Sequence, residues 1–193
     1  MQRYFIDLSI LAPHANTPHA MTQLMSNLHR LLREYDLTDV GAGFPRFGLH
    51  DSHGQSSLGD VLRLISVSPE SLKRLAGNVT FQSLKSVSVI NISQVQEVPE
   101  THVKQEVVFF KDSRPIRAMQ FHKLDVKADP SIARLSYHQL KGASQLLLIG
   151  KKGEKGQAVY PIFISRKTVS FRQDGEFNSY GLTTQTGTSF PVF

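Results

Sequence analysis

Of the side chains able to move a proton near neutral pH, histidine is the natural candidate, and the chain has eight: His14, His19, His29, His50, His53, His102, His122 and His138. They are scattered, without the compact spacing typical of a zinc site. His50 and His53 with Asp51 form the only local cluster, and no metal or cofactor is expected there or elsewhere. His29 directly follows Leu28 and lies four residues after Met25, which places it at the margin of an apolar helical stripe. An imidazole on the rim of a rigid helix is a sound mount for a general base. Read from its position alone, a structural or solvated histidine is the plainer alternative. Cysteine is absent, which excludes a thiolate nucleophile, a thiolate metal site and a disulfide scaffold. The sequence has no Walker-type loop, dinucleotide fingerprint, His-Glu-x-x-His pair or Gly-x-Ser-x-Gly elbow.

The cations are unevenly placed. Residues 1–100 hold 8 Lys/Arg against 9 Asp/Glu, whereas residues 101–193 hold 14 against 7, so the second half carries the whole formal surplus of +6. Such a surplus can contact phosphates and steer a polyanion inward, although an inert basic surface would look the same. With 40% hydrophobic and 20% charged residues the chain has the composition of a folded protein. The N-terminus lacks the apolar core of a signal peptide and no stretch reaches transmembrane length, so a cytoplasmic protein without membrane contact is expected.

The elements that must position His29 follow from periodicity. Tyr4, Ile6 and Leu8 alternate within a strand over Arg3–Leu11. Thr17-Pro18 supplies a possible cap followed by proline at the first helical position, and Met21, Leu24, Met25, Leu28, Leu31, Leu32 and Tyr35 recur at helical spacing. Val40–Pro45 reads as an irregular strand or turn, Leu58–Val67 as a strand, and Pro69–Ala76 as a short helix behind Ser68 with Gly77 as its C′ residue. Val87–Ile92 reads as another strand and Val103–Phe110 as one more, so the order to this point is strand, helix, strand, strand, helix, strand, the ferredoxin-like pattern, with the pairing of the last strands left open. Beyond them a helix is expected from Pro130 to Lys141, with Arg134, His138 and Lys141 on one face. Strands over Leu146–Ile149 and Val159–Ile164 bracket the glycine-rich basic turn Gly150–Gly156, Pro161 suits an edge or bulged strand, and Thr168–Phe171 and Asn178–Thr183 read as the last strands. The expected fold is therefore α+β: a ferredoxin-like domain over residues 1–110, and a less regular α/β region with a basic helix over residues 111–193, packed against it.

Phe177-Asn178-Ser179-Tyr180-Gly181-Leu182, followed by Phe190-Pro191-Val192-Phe193, resembles the ending of the CRISPR repeat-processing endoribonucleases of type I-F systems. The resemblance extends, in the same order, to Leu24–Leu32 with Leu28-His29, to Val40-Gly41-x-Gly43-Phe44-Pro45, and to Leu58-Gly59-Asp60-x-Leu62-Arg63. It covers nearly the whole chain and is poorest over Lys111–Lys141.

The resemblance implies cleavage of precursor CRISPR RNA within each repeat, at the 3′ base of a hairpin, without a metal. The ribose 2′-hydroxyl attacks the adjacent phosphate and leaves a 2′,3′-cyclic phosphate, and the mature RNA stays bound within a type I-F-like surveillance complex whose other subunits are partners. The family's catalytic histidine falls on His29 and its active-site tyrosine on Tyr180. Tyr180 could orient His29 or the ribose, or simply pack its ring. Lys151, Lys152 or Lys155 on the glycine-rich turn could stabilise the charge that grows on the phosphate. Lys111, Arg114, Arg117, Lys123 and Lys127 could add phosphate contacts to those of Arg134, His138 and Lys141. Tyr160 falls near the family's stacking aromatic, with a buried strand aromatic as the alternative. Two departures weigh against a simple transfer. The family's loop serine has no counterpart in Ile149–Gln157, and the base-reading segment corresponds to the largely apolar Glu106–Lys111. A non-cleaving subunit that holds the RNA hairpin is therefore the alternative function, and a basic protein for single-stranded nucleic acid or a protein partner a third.

Overall fold

The computed structural model describes residues 1–11, 17–48, 57–113, 143–151, 157–184 and 188–193, with only the backbone of 143–151 and 157–161. Strand β1 (Tyr4–Ile10) buries Ile6, Leu8 and Ile10 on one face, as its alternation requires, and is followed by helix α1 (Thr17–Glu34) and the three-residue strand β2 (Gly41–Gly43). Strand β3 (Val61–Ser66) leads to helix α2 (Pro69–Ala76), whose first turn is capped by Ser68 Oγ accepting from the Ser71 amide at 3.2 Å. Helix α3 (Val79–Ser86) precedes the short strands β4 (Ile90–Ile92) and β5 (Gln96–Glu97). The second sheet is built from β6 (Gln105–Lys111), β7 (Ala143–Lys151), β8 (Gln157–Val169) and β9 (Phe190–Val192).

The chain is thus α+β with two antiparallel sheets, ordered β2-β3-β1-β4 with β5 beside β1, and β7-β8-β6-β9. In the first sheet β1 lies centrally, antiparallel to both β3 and β4. That is the expected β-α-β-β-α-β order, but its last strand is β4. Val103–Phe110, the further strand expected within residues 1–110, is β6, which pairs with β8 and β9 in the second sheet. Helix α3 was not expected. Asn78 caps it by accepting from the Thr80 amide at 2.9 Å, and Phe81 anchors it in the core, so the following strand shortens to Ile90–Ile92. Gly77 does end α2, but with φ −79 rather than in a left-handed conformation. Thr168 and Val169 close the unbroken β8, and Asn178–Thr183 is a turn held by one bridge between Phe177 and Thr183. Pro161 lies within β8, where it pairs with Leu147 of β7. The helix expected over Pro130–Lys141 lies outside the described residues.

One hydrophobic core joins both sheets. The buried face of α1 (Ala20, Met21, Leu24, Met25, Leu28, Leu31, Leu32) packs into it, and Val107, Phe109, Ile162, Ile164 and Phe190 enter from the second sheet. Phe109 meets Phe44 edge-on at 5.3 Å and Phe190 at 5.8 Å, arrangements that aromatic rings favour. Among the described residues no helix is long and apolar enough to cross a membrane.

A buried ionic cluster crosses the same junction. Arg3, just ahead of β1 and 3% exposed, donates to Glu106 of β6 at 2.6 and 3.1 Å and to Glu100 at 2.7 and 2.9 Å, and Ser189 Oγ, just ahead of β9, donates to Glu106 at 2.7 Å. Burial pushes the pKa of Arg3 down, but its hydrogen bonds to both carboxylates outweigh that and hold it raised. The Glu100 carboxyl is held below its ordinary range, chiefly by the hydrogen bond from Arg3.

Removing one partner of a buried pair strands the other charge. Arg3→Met should therefore lower the unfolding free energy by roughly 3–5 kcal/mol in denaturant titrations. Because the Glu100 pKa is lowered on folding, its contribution is present above the unfolded value of about 4.3 and is lost as pH falls through the folded one. Melting curves across pH should show wild type more stable than Glu100→Gln at neutral pH, with the gap closing below about pH 4.

Candidate functional site

His29 stands near the C-terminal end of α1, next to buried Leu28, and its ring is half-buried at the margin of the packed face. Across from it lies the turn 178–181. Asn178 closes this turn: its carbonyl accepts from the Gly181 amide at 2.8 Å, and its side-chain oxygen accepts from the amides of Tyr180 at 2.8 Å and Leu182 at 3.2 Å. This is the local self-bonding that makes asparagine a turn residue.

The turn is fixed to both sheets. Gly181 O accepts from the Ala42 amide on the open edge of β2 at 2.6 Å, and the Thr183 amide donates to Phe109 O on β6 at 2.8 Å. Gly181 has φ +70, and a Cβ there would lie 2.9 Å from the Ala42 nitrogen, so only glycine fits without strain. In β2, a Cβ on Gly41 would fall 2.3 Å from the Phe177 ring, and one on Gly43 would fall 2.4 Å from that of Phe190. Bare backbone at these two positions lets the C-terminal aromatics seat against the first sheet.

The result is that the two residues singled out from the sequence meet. The His29 and Tyr180 rings are stacked with centroids 3.9 Å apart and planes 5° from parallel. His29 Nδ1 lies 2.6 Å from Ser179 O. A carbonyl can only accept, so in this contact Nδ1 carries the proton, and the neutral ring keeps its lone pair on Nε2. The imidazole is thereby oriented by backbone on one side and presents a proton acceptor on the other. Lys111, exposed at the end of β6, places Nζ 5.8 Å from the Tyr180 centroid, within the range of a cation–π contact. The cluster therefore combines a base, an aromatic surface and a cation.

The other expected site residues are not drawn into this cluster by anything described. Lys151 ends β7 and Tyr160 lies within β8, both placed by backbone alone. Lys152, Lys155, Arg114, Arg117, Lys123, Lys127, Arg134, His138 and Lys141 lie outside the described residues, as do His50, Asp51 and His53. Among the described residues no group of three or more His, Asp or Glu is placed to hold a metal ion. Sequence reasoning did not single out Asn178, the Ser179 carbonyl, Gly181 or the two glycines of β2 as parts of the site. The asparagine and glycine flanking Ser179-Tyr180 were the available signal, since that pairing favours a turn over the strand that was expected.

The family model described as CRISPR-associated protein (Cas_Csy4) matches residues 5–193. Among solved structures, the chain is similar to Thermus thermophilus Cse3 bound to an RNA representing a pre-cleavage complex, with 11% identity, a TM-score of 0.34 and 100% of both chains covered. It is also similar to the CRISPR RNA processing endoribonuclease Cas6b, with 8% identity, a TM-score of 0.32 and 100% of both chains covered. A CRISPR-associated protein Cas6 aligns at 10% identity with a TM-score of 0.31, over 100% of this chain and 99% of the other. No curated protein matches the chain.

If the turn holds the imidazole, loosening the turn should free it. In nitrogen-15 spectra of the neutral His29 ring, wild type should show the proton on Nδ1, and Asn178→Ala and Gly181→Ala should both lose that preference. Forcing alanine into the left-handed conformation at 181 should also cost about 1–3 kcal/mol of stability. An unchanged tautomer in both variants would show that the Ser179 carbonyl does not set it.

Proposed function

The chain belongs to the Csy4 family of CRISPR-associated proteins, and from that premise we propose that it is an endoribonuclease that cuts precursor CRISPR RNA within its repeats, at the 3′ base of a hairpin. The observation that carries this reading is the His29 imidazole, half-exposed, tied through Nδ1 to Ser179 O at 2.6 Å and stacked on Tyr180. In the proposed reaction Nε2 takes the proton of the ribose 2′-hydroxyl. The 2′ oxygen then bonds to the adjacent phosphorus as the bond to the 5′ oxygen breaks. The departing oxygen takes a proton from the imidazolium or from water, which leaves a 2′,3′-cyclic phosphate and a 5′-hydroxyl. No step requires a metal.

Each neighbour has a part that its chemistry suits. The Tyr180 ring fixes the plane of the imidazole, which restricts where a ribose can approach Nε2. Lys111 offers positive charge to the phosphate as attack adds negative charge to it. The cations Arg114, Arg117, Lys123, Lys127, Arg134 and Lys141, with His138, are proposed to grip the hairpin, and Lys151, Lys152 and Lys155 to approach the phosphate from the glycine-rich turn. Tyr160 is proposed to stack on a nucleotide beside the cut. The protein then stays on its product hairpin as a subunit of a type I-F-like complex.

Incubating the purified protein with its repeat RNA in EDTA should yield the cyclic phosphate and the 5′-hydroxyl. His29→Ala should slow cleavage by about 10²–10⁴-fold while hairpin affinity is kept. Intact RNA under binding conditions, with wild type and His29→Ala alike, would reject the nuclease and favour the non-cleaving hairpin-binding subunit.

A further inference from the structure

We propose that Arg33 is a phosphate-holding residue of the His29 site, a positioning role that rests on the reading of His29 as the base. Arg33 follows His29 by four residues on α1, so their Cβ atoms are neighbours on one face, about 5–6 Å apart. Helical side chains lean toward the N-terminus, so the Arg33 side chain covers the turn that bears His29. That spacing puts Arg33 on the imidazole's side of the helix.

Among the described residues, Arg33 differs from the other arginines nearby in having nothing to hold. Arg30 donates to Glu34 at 2.9 Å and to Thr80 at 2.9 Å, and Arg74 of α2 lies 3.8 Å over the Tyr35 ring. Arg33 is exposed and, among the described residues, has no hydrogen bond or ion pair. Nor does its own stripe offer it a carboxylate. Thr22, Ser26, His29 and Arg33 follow one another at i, i+4, i+7 and i+11 along the outer face of α1, and none is acidic. Glu34, the carboxylate beside it on the helix, is engaged by Arg30.

An unengaged planar fork beside a proton acceptor suits a phosphate, which it can grip through two parallel hydrogen bonds. The base acts on a 2′-hydroxyl, and every such hydroxyl in RNA has a phosphate next to it. Holding the scissile phosphate or the next one along would restrain the ribose against Nε2. The rival explanation is that Arg33 only complements the negative end of the helix, since it sits in the last turn of α1. That role needs no RNA.

The test uses repeat RNA made uncleavable by a 2′-deoxy nucleotide at the cut, bound across a range of salt by wild type, Arg33→Ala and Arg33→Lys, with melting temperatures as a control. Losing one phosphate contact should lower the slope of log affinity against log salt by about 1 in Arg33→Ala, and Arg33→Lys should restore much of it. A neutral methylphosphonate at the contacted phosphate should weaken wild type but add nothing to Arg33→Ala. Cleavable RNA at saturating protein should be cut about 10-fold more slowly by Arg33→Ala. An unchanged salt slope with additive methylphosphonate effects at every position would overturn the proposal, as would a lower melting temperature with unchanged binding. Because the binding measurements need no cleavage, Arg33 can pass while His29 fails as the base, and the reverse.

Discussion

The edge strand Gly41–Gly43 lies so close to Phe177 and Phe190 that a single added carbon at either glycine would enter a ring. That approach brings the last segment of the chain to the open edge of the first sheet, where the Ala42 amide would otherwise lack a partner. Gly181 O supplies it, at 2.6 Å. Edge strands need such cover in any case, because an unpaired edge invites association. Here the cover is the turn that carries Tyr180, so protecting the edge and building the site are the same event. His29 arrives independently, from the rim of a helix whose buried face is fixed by seven core residues. The stack between the two rings needs both placements to be correct, and helix α1 and the turn are 150 residues apart in sequence.

The Arg3 cluster explains why the two sheets hold that relation. Taking an arginine and a carboxylate out of water is costly, and a well-packed apolar junction would serve stability as well or better. What the ionic cluster adds is direction. Arg3 reaches Glu106 only when β6 of the second sheet lies beside the start of β1, and Ser189 joins them only when β9 has added to β6. Strand β6 has Glu106 near one end and Lys111 at the other, and its Phe109 carbonyl holds Thr183 of the site turn. Fixing one end of this strand therefore sets the cation and the tyrosine at the other. Phe193 closes the same junction: its ring meets that of Phe5 edge-on at 5.1 Å, and the Arg63 guanidinium sits against both rings, 4.5 and 4.3 Å from their centroids.

Much of the first sheet was legible because its elements obey single periods. Alternation marked β1, helical spacing marked α1, and Ser68-Pro69 marked the start of α2, each a local signal with a local cause. The pairing of the last strands was not legible because β4 keeps only three residues, while the longer apolar run Val103–Phe110 satisfies a different sheet. Periodicity shows that a strand exists and is silent about its partner. Helix α3 escaped notice since Val79 and Thr80 at its start are β-branched, and its reason for being helical is the Asn78 cap and the burial of Phe81. At the site, helical spacing put His29 on the rim of α1 but left a structural histidine the plainer reading, and Tyr180 was legible only through resemblance. The carbonyl that orients the imidazole belongs to Ser179, and a backbone acceptor leaves no mark in residue identity.

That a carbonyl, rather than a carboxylate, orients His29 has a chemical consequence for a base. Either acceptor selects the same tautomer, but a carboxylate would also stabilise the imidazolium with a full negative charge and so favour keeping the proton. A carbonyl dipole sets the orientation with far less of that bias. The Tyr180 face offers the charged ring a moderate cation–π attraction, while Lys111 at the same ring favours charge of the opposite sign. In the proposed reaction negative charge appears on the phosphate as positive charge appears on the imidazole, and both return to neutral when the 5′ oxygen takes its proton. A site with cations for the phosphate and, among the described residues, dipoles and a ring for the imidazolium suits that sequence, because it supports the charge separation without trapping the proton on the base.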